Sequence, residues 1–217
     1  MENKIKYELK SLIIKVSLDI FERGLTVGTW GNISVIDRSC NLIYITPSGM
    51  DYGKITENDI VVLDLEGKIV EGARKPSVET PMHVAVYKAR QDVNSVIHYH
   101  PVYSTVLSIT NTEIPGISED FVQIVGDKVI CSKYALPGTR ELAFNVVKGL
   151  GKRNAVLMPN HGALCTGKDI EDAFKVCTVL EKTAKIFILS KITGSYNLIS
   201  DEDIKIMQAA IKNYGQK

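Results

Sequence analysis

The chemistry legible in this sequence is concentrated in its histidines. There are four, His83, His98, His100 and His161. His98 and His100 stand two apart in the run VIHYHP. On a strand, the period of two turns both rings to one face, where two imidazoles can chelate one metal ion. His161 follows an apolar run, in the turn-like Pro159-Asn160-His161-Gly162. A turn there is well placed to present a third ring to a cleft. Three neutral imidazoles with one open position make a catalytic zinc site. A plainer alternative is that His98 and His100 are half-buried strand residues, and H-x-H by itself favours it. His161 narrows the gap between the two readings without closing it.

Glu79 lies in KPSVETPMH, residues 75–83, after an extended loop and at the start of a helical pattern. A carboxylate there can move a proton as a general acid/base. It is equally a first-turn acid favoured by the helix dipole, and taken alone that reading is the simpler. His83, four residues on, reads as packing or as support for the site, not as a ligand. Three loops of small residues, GTWGNIS (28–34), TPSGM (46–50) and KPS (75–77), can offer N–H groups and hydroxyls to a phosphate. Each is also an ordinary turn sequence. None is a Walker A loop or a dinucleotide fingerprint.

The elements that must position these residues follow from periodicity. Ile5, Leu9, Leu12, Ile13, Val16 and Ile20 repeat at helical spacing, with Gly24 as the C-terminal cap. Short strands are predicted over 32–36, 42–46, 60–65 and 68–70, the last two joined at the hairpin signal Glu66-Gly67. A helix begins near Glu79, a strand runs over 96–100, and Pro101 ends it and can open the next helix. A strand over 128–133, a helix over 139–150 and strands over 155–158 and 163–165 come next. A long helix over 169–191 carries Phe174, Cys177, Leu180, Ala184 and Phe187 as its apolar stripe, and a last helix starts near Asp201. No repeat or linker interrupts the chain. Strands and helices are interspersed, with hairpins early, so the expected fold is one α/β domain over 1–217. Its central sheet is largely antiparallel and flanked by helices.

Composition narrows the function. The 217 residues are 45% hydrophobic, enough for a sizeable core. Lys and Arg number 26 against 25 Asp and Glu, a formal net charge of +1. That balance argues against a general nucleic-acid or anionic-membrane surface, so neither partner is expected. No apolar run is long enough to span a bilayer, and the charged opening MENKIKYELK is unlike a secretory leader. Cys40, Cys131, Cys165 and Cys177 form no C-x-x-C pair and read as buried thiols in a reducing compartment. The cytoplasm is the expected location.

Taken in order, G-N-I-S, T-P-S-G, P-S-x-E, H-x-H and N-H-G resemble the class II aldolase/adducin family from about Leu12 to Tyr214. Length and the glutamate of P-S-x-E are most similar to its L-fuculose-1-phosphate aldolase branch, whereas the family's 4-epimerases usually carry aspartate there. The resemblance implies that His98, His100 and His161 hold one divalent ion per chain, zinc or else manganese or cobalt. It makes Glu79 the catalytic acid/base and places Gly31, Asn32, Ser48, Gly49 and Ser77 at phosphate-binding positions. Val78 stands where that branch has a second serine. Tyr214 matches a tail tyrosine that reaches the active site. Glu119 stands where a tyrosine serves a neighbouring subunit as proton donor, and a related methylthioribulose-1-phosphate dehydratase uses a glutamate in that region.

The implied reaction is cleavage of a ketose 1-phosphate, like those of L-fuculose or 5-deoxyribulose, to dihydroxyacetone phosphate and an aldehyde through an enediolate. The implied assembly is a homotetramer with active sites between subunits. A 4-epimerase or a methylthioribulose-1-phosphate dehydratase on the same site are the alternatives. A non-catalytic adducin-like interaction domain is the alternative of a different class, and it predicts loss of the histidines, all of which are present.

Overall fold

The computed structural model describes residues 5–211 of the chain, so Tyr214 lies outside the described residues. Helix α1 (Tyr7–Glu22) ends where Gly24, at φ 66°, lets the chain reverse. Strands β1 (Asn32–Asp37), β2 (Leu42–Ile45), β3 (Val61–Leu63) and β4 (Ile69–Glu71) follow as a meander. Helix α2 (Thr80–Ala89) leads to β5 (Ser95–Tyr99) and α3 (Val102–Ile109). Next come β6 (Ile114–Pro115), α4 (Glu119–Ile124), β7 (Lys128–Val129) and α5 (Arg140–Leu150). The hairpin β8 (Ala155–Met158) and β9 (Gly162–Gly167) precedes α6 (Ile170–Thr193) and α7 (Asp201–Ala210).

The main sheet has the order β4-β3-β2-β1-β5-β9-β8, and its paired strands run antiparallel. The mixed α/β fold with an antiparallel sheet is the one expected. Both faces of the sheet are covered. Ile33, Val35, Ile97, Tyr99, Ala163 and Cys165 point to one face, beneath α1, α3, α4, α6 and α7. Ile36, Ile43, Val96 and Leu164 point to the other, where Met82, Val86 and Tyr87 of α2 and Leu142, Val146 and Leu150 of α5 pack on them. Each fully buried side chain of this size contributes roughly 1.5–3 kcal/mol. With both faces covered, β1, β2, β5, β8 and β9 are buried at every residue and lack a polar-out alternation.

One expectation needs correction, and one helix was not foreseen. The strand expected over 128–133 is only Lys128–Val129, paired with β6, and Cys131 adds a lone bridge to Leu157. The apolar run there crosses between two sheets, so neither holds it throughout. Helix α4 was not expected, because six residues are too few to display a helical period. All four cysteines are free, with Cys165 and Cys177 buried. Among the described residues, no helix is long and apolar enough to cross a membrane.

Candidate active site

Strand period decides where the histidines go. On β5, Ile97 and Tyr99 face the larger helical layer, so His98, and His100 just beyond the strand, face the α2 side. There β5 lies between β1 and β9, with Asn32 opposite His98 on one side and Leu164 on the other. His161 arrives from the turn between β8 and β9. Pro159 presets that turn, Asn160 takes a positive φ of 56°, and His161 N donates to Met158 O at 3.1 Å. Gly162 then has to be glycine. A Cβ there would lie 2.5 Å from Tyr99 O and 3.0 Å from His100 Cδ2. The missing side chain lets β9 close against the end of β5, which brings His161 to the other two rings.

The three rings converge, with centroids 4.6–4.9 Å apart. One nitrogen from each lies within 4.8 Å of the others. His98 Nδ1 lies 2.9 Å from Ala163 O, which leaves Nε2 as the nitrogen turned towards the other two rings and Glu79. His100 Nε2 stands 2.9 Å from that nitrogen. Burial, reinforced by the neighbouring imidazoles, pushes His100 down to about 3 and His161 down to about 4, so both are neutral at physiological pH.

Glu79, at the N-terminus of α2, is 5% exposed and leans over this cluster. Its Oε2 lies 3.0 Å from His98 Nε2 and its Oε1 3.6 Å from His161 Nε2. Burial by itself would raise the carboxyl. The adjacent His98 ring and, after it, the hydrogen bond from the Asn32 amide outweigh that and hold it well below the usual carboxylate range. Oε1 is buried and accepts no hydrogen bond. Inward-facing imidazole nitrogens beside an orphaned carboxylate oxygen are what a divalent cation satisfies. The donor set therefore fits a zinc-type ion.

Behind Glu79 runs a buried chain of hydrogen bonds with one consistent direction. Asn32 Nδ2 donates to Glu79 Oε2 at 2.9 Å. Burial lowers His83 to about 3, so the ring is neutral and carries one N–H. With that proton on Nε2, His83 donates to Asn32 Oδ1 at 2.5 Å and accepts at Nδ1 from Ser34 Oγ at 2.6 Å. Tyr87 OH, 2.7 Å from Ser34 Oγ, completes the chain as donor. Asn32 therefore has its oxygen and one N–H engaged inside the protein and keeps one N–H to offer an anion.

The other expected site residues divide. Ser77 is buried, and its Oγ accepts from Glu79 N at 3.2 Å. Ser48 and Gly49 are exposed, and the Ser48 backbone is tied to this segment by its N–H to Lys75 O at 3.0 Å. Gly31, at φ 95°, presses against β5, and a Cβ there would lie 2.7 Å from His98 O. Of these, Gly31 and Ser77 lie directly against the cluster, through His98 O and the Glu79 backbone. Glu119 does not join them. It is exposed at the start of α4 and takes no part in the hydrogen bonds or ion pairs of the cluster. Sequence reasoning assigned no part to Tyr87 and touched Ser34 and Trp30 only as members of the loop 28–34. Trp30 lies stacked on His100, centroids 6.0 Å apart and planes at 20°. Its signal was available, because it is the one tryptophan and sits inside G-T-W-G-N.

Comparison with known proteins decides the family. Residues 11–188 match the model of the class II aldolase and adducin N-terminal domain. The chain belongs to the class II aldolase and adducin family. It is 37% identical over 209 residues to L-fuculose phosphate aldolase of Escherichia coli strain K12, covering 96% of each chain. It is 34% identical over 205 residues to 5-deoxy-D-ribulose 1-phosphate aldolase of Bacillus thuringiensis serovar kurstaki, covering 94% of this chain and 96% of that one. A solved L-fuculose 1-phosphate aldolase superposes with a TM-score of 0.95 at 38% identity, covering 98% of this chain and all of the other. The chain is accordingly an enzyme of the class II aldolase type, a lyase.

Proposed function

We propose that the chain is a metal-dependent aldolase that reversibly cleaves a ketose 1-phosphate to dihydroxyacetone phosphate and an aldehyde. The observation that carries this reading is the convergence of His98, His100 and His161 beneath Glu79, whose Oε1 lacks a protein partner. The three histidines hold one divalent ion per chain, zinc by preference and manganese or cobalt as alternatives. When bound, the ion supplies a Lewis acid beside the ketose carbonyl.

The chain's own groups do the rest. The C3–C4 bond breaks as the C4 hydroxyl loses its proton to a base, so that C4 becomes the aldehyde carbon. The electron pair stays on the C3 side, and C3 gains one proton through Glu79, which as a carboxylate first takes that proton up from water in exchange for the one the C4 base releases to it. Asn32 and the chain behind it hold the Glu79 carboxylate in place. Gly31, Ser48, Gly49, Ser77 and the free N–H of Asn32 orient the phosphate. Glu119 or Tyr214 of a neighbouring subunit serves as the C4 base. Within its own chain Glu119 has no contact with the cluster, which supports a homotetramer with shared sites. The whole chain, 1–217, works as one catalytic domain in the cytoplasm.

The test is to incubate metal-loaded protein with a panel of ketose 1-phosphates and to follow dihydroxyacetone phosphate with a coupled dehydrogenase. Its release from at least one sugar is expected. Inversion at C4 without release, or no product from any sugar, would contradict the aldolase reading.

A further inference from the structure

The three histidines are not held alike. His98 is fixed on β5 between β1 and β9. His161 is fixed by its turn, whose N–H closes on Met158 O. His100 stands past Tyr99, the last paired residue of β5, and just before Pro101, the N-cap of α3. Its backbone is set by whatever fastens the two ends of that short link.

Both ends are fastened to α6. On the strand side, Tyr99 OH donates to Cys177 O at 2.9 Å. On the helix side, Glu181 lies one turn further along α6 and reaches α3 with both carboxylate oxygens. Its Oε1 accepts from Tyr103 N at 2.7 Å, and its Oε2 accepts from Ser104 N at 2.9 Å and from Ser104 Oγ at 2.8 Å. The first turn of a helix leaves its N–H groups without partners inside the helix. Pro101 offers them no side-chain acceptor, so α3 takes its cap from a residue 77 and 78 positions away. A carboxylate suits that end, because charge-assisted bonds add to the attraction of the helix dipole. Glu181 takes no part in the hydrogen bonds or ion pairs of the ring cluster. Its reach to the site runs through the α3 backbone to Pro101 and His100.

We propose that Glu181 is a positioning residue for the metal site, which fixes the start of α3 from α6 and thereby holds His100 against the other two rings. This rests on the three-histidine metal reading and adds to it the residue that sets one ligand in place. Without Glu181 the first turn of α3 is free to fray, and His100 loosens with it, while His98 and His161 keep their own supports.

The zinc- or cobalt-loaded protein is challenged with a chromophoric chelator, which reads metal affinity without turnover. Glu181→Ala should weaken affinity by roughly tenfold or more, the scale at which metal sites respond to losing a group that orients a ligand. The visible absorption of the cobalt form should change as well. Glu181→Gln keeps one acceptor oxygen and should fall between wild type and Glu181→Ala. Asp169→Ala is the control. Asp169 caps α6 itself, accepting from Asp172 N at 2.7 Å, at the end of β9 away from His161. Its loss should lower the urea midpoint, as the loss of Glu181 does, yet leave metal affinity at the wild-type value. Wild-type affinity and absorption in Glu181→Ala would overturn the role of Glu181 and leave the metal reading intact. An equal loss of affinity in Asp169→Ala would overturn it too, since general loosening would then explain both. If Glu181→Ala does not fold, Glu181→Gln decides alone, and wild-type affinity there overturns the role. A wild type that retains neither zinc nor cobalt would overturn the metal reading itself.

Discussion

Replacing His83 by leucine separates support of the site from the site itself. The residue is 0% exposed and touches neither metal nor substrate in the proposed reaction. Leucine fills similar space but neither donates to Asn32 Oδ1 nor accepts from Ser34 Oγ. Ser34 Oγ keeps its bond to Tyr87 OH, so Asn32 Oδ1 is the buried group left orphaned, and stability should fall by about 1–3 kcal/mol. The effect on chemistry follows from the Asn32 amide. Freed from His83, it can turn and present oxygen instead of N–H to the Glu79 carboxylate. The loss of one hydrogen bond to a charged group is worth about 1.5–3 kcal/mol, which converts to roughly a ten- to hundredfold fall in kcat. Urea unfolding, steady-state kinetics and elemental analysis on one preparation read all three quantities. Metal content should be unchanged, and His83→Gln, which can still donate to Asn32, should recover part of the loss. Wild-type stability and turnover in His83→Leu would refute the directed chain as the support of Glu79.

Further outcomes follow from other contacts. Glu79→Gln should retain metal and substrate binding while slowing turnover by about a hundredfold or more, as read by kcat and by substrate titration. Ser77→Ala should raise KM for a phosphorylated ketose more than it lowers kcat, because the proposed phosphate site loses a hydroxyl. Asp59 accepts from Thr56 N and Oγ1 and from Arg74 Nε, and these bonds hold its carboxyl down at about 2. A depressed folded-state value means that its stabilisation is complete above the unfolded value of about 4 and is lost as pH falls towards 2. Asp59→Asn should therefore be less stable than wild type near neutrality and approach it on the acid side, in unfolding midpoints measured across pH.

The parts of the site that were legible in the sequence are those that depend on local geometry. His98 and His100 share a face because a strand has period two, and α2 starts beside Glu79 because the Lys-Pro-Ser loop breaks the chain there. The three small-residue loops lie near one another because the meander returns them to one edge of the cluster. Other parts needed the tertiary fold. The bond from Asn32 to Glu79 spans 47 residues, and that from His83 to Asn32 spans 51, so no periodicity announces them. From the motif Asn32 reads as a phosphate ligand, whereas in the fold it also holds the carboxylate. Gly162 reads as a turn residue until the approach of Tyr99 O is known. The position of Glu119 on α4 was hidden because that helix is too short to show a period.

The central claim is a metal held by three histidines, and elemental analysis of the purified protein tests it most directly. Wild type should carry about one divalent ion per chain, while His98→Ala and His161→Ala, folded by circular dichroism, should carry essentially none. Full metal content in both folded variants, or none in a wild type that still releases dihydroxyacetone phosphate, would contradict it.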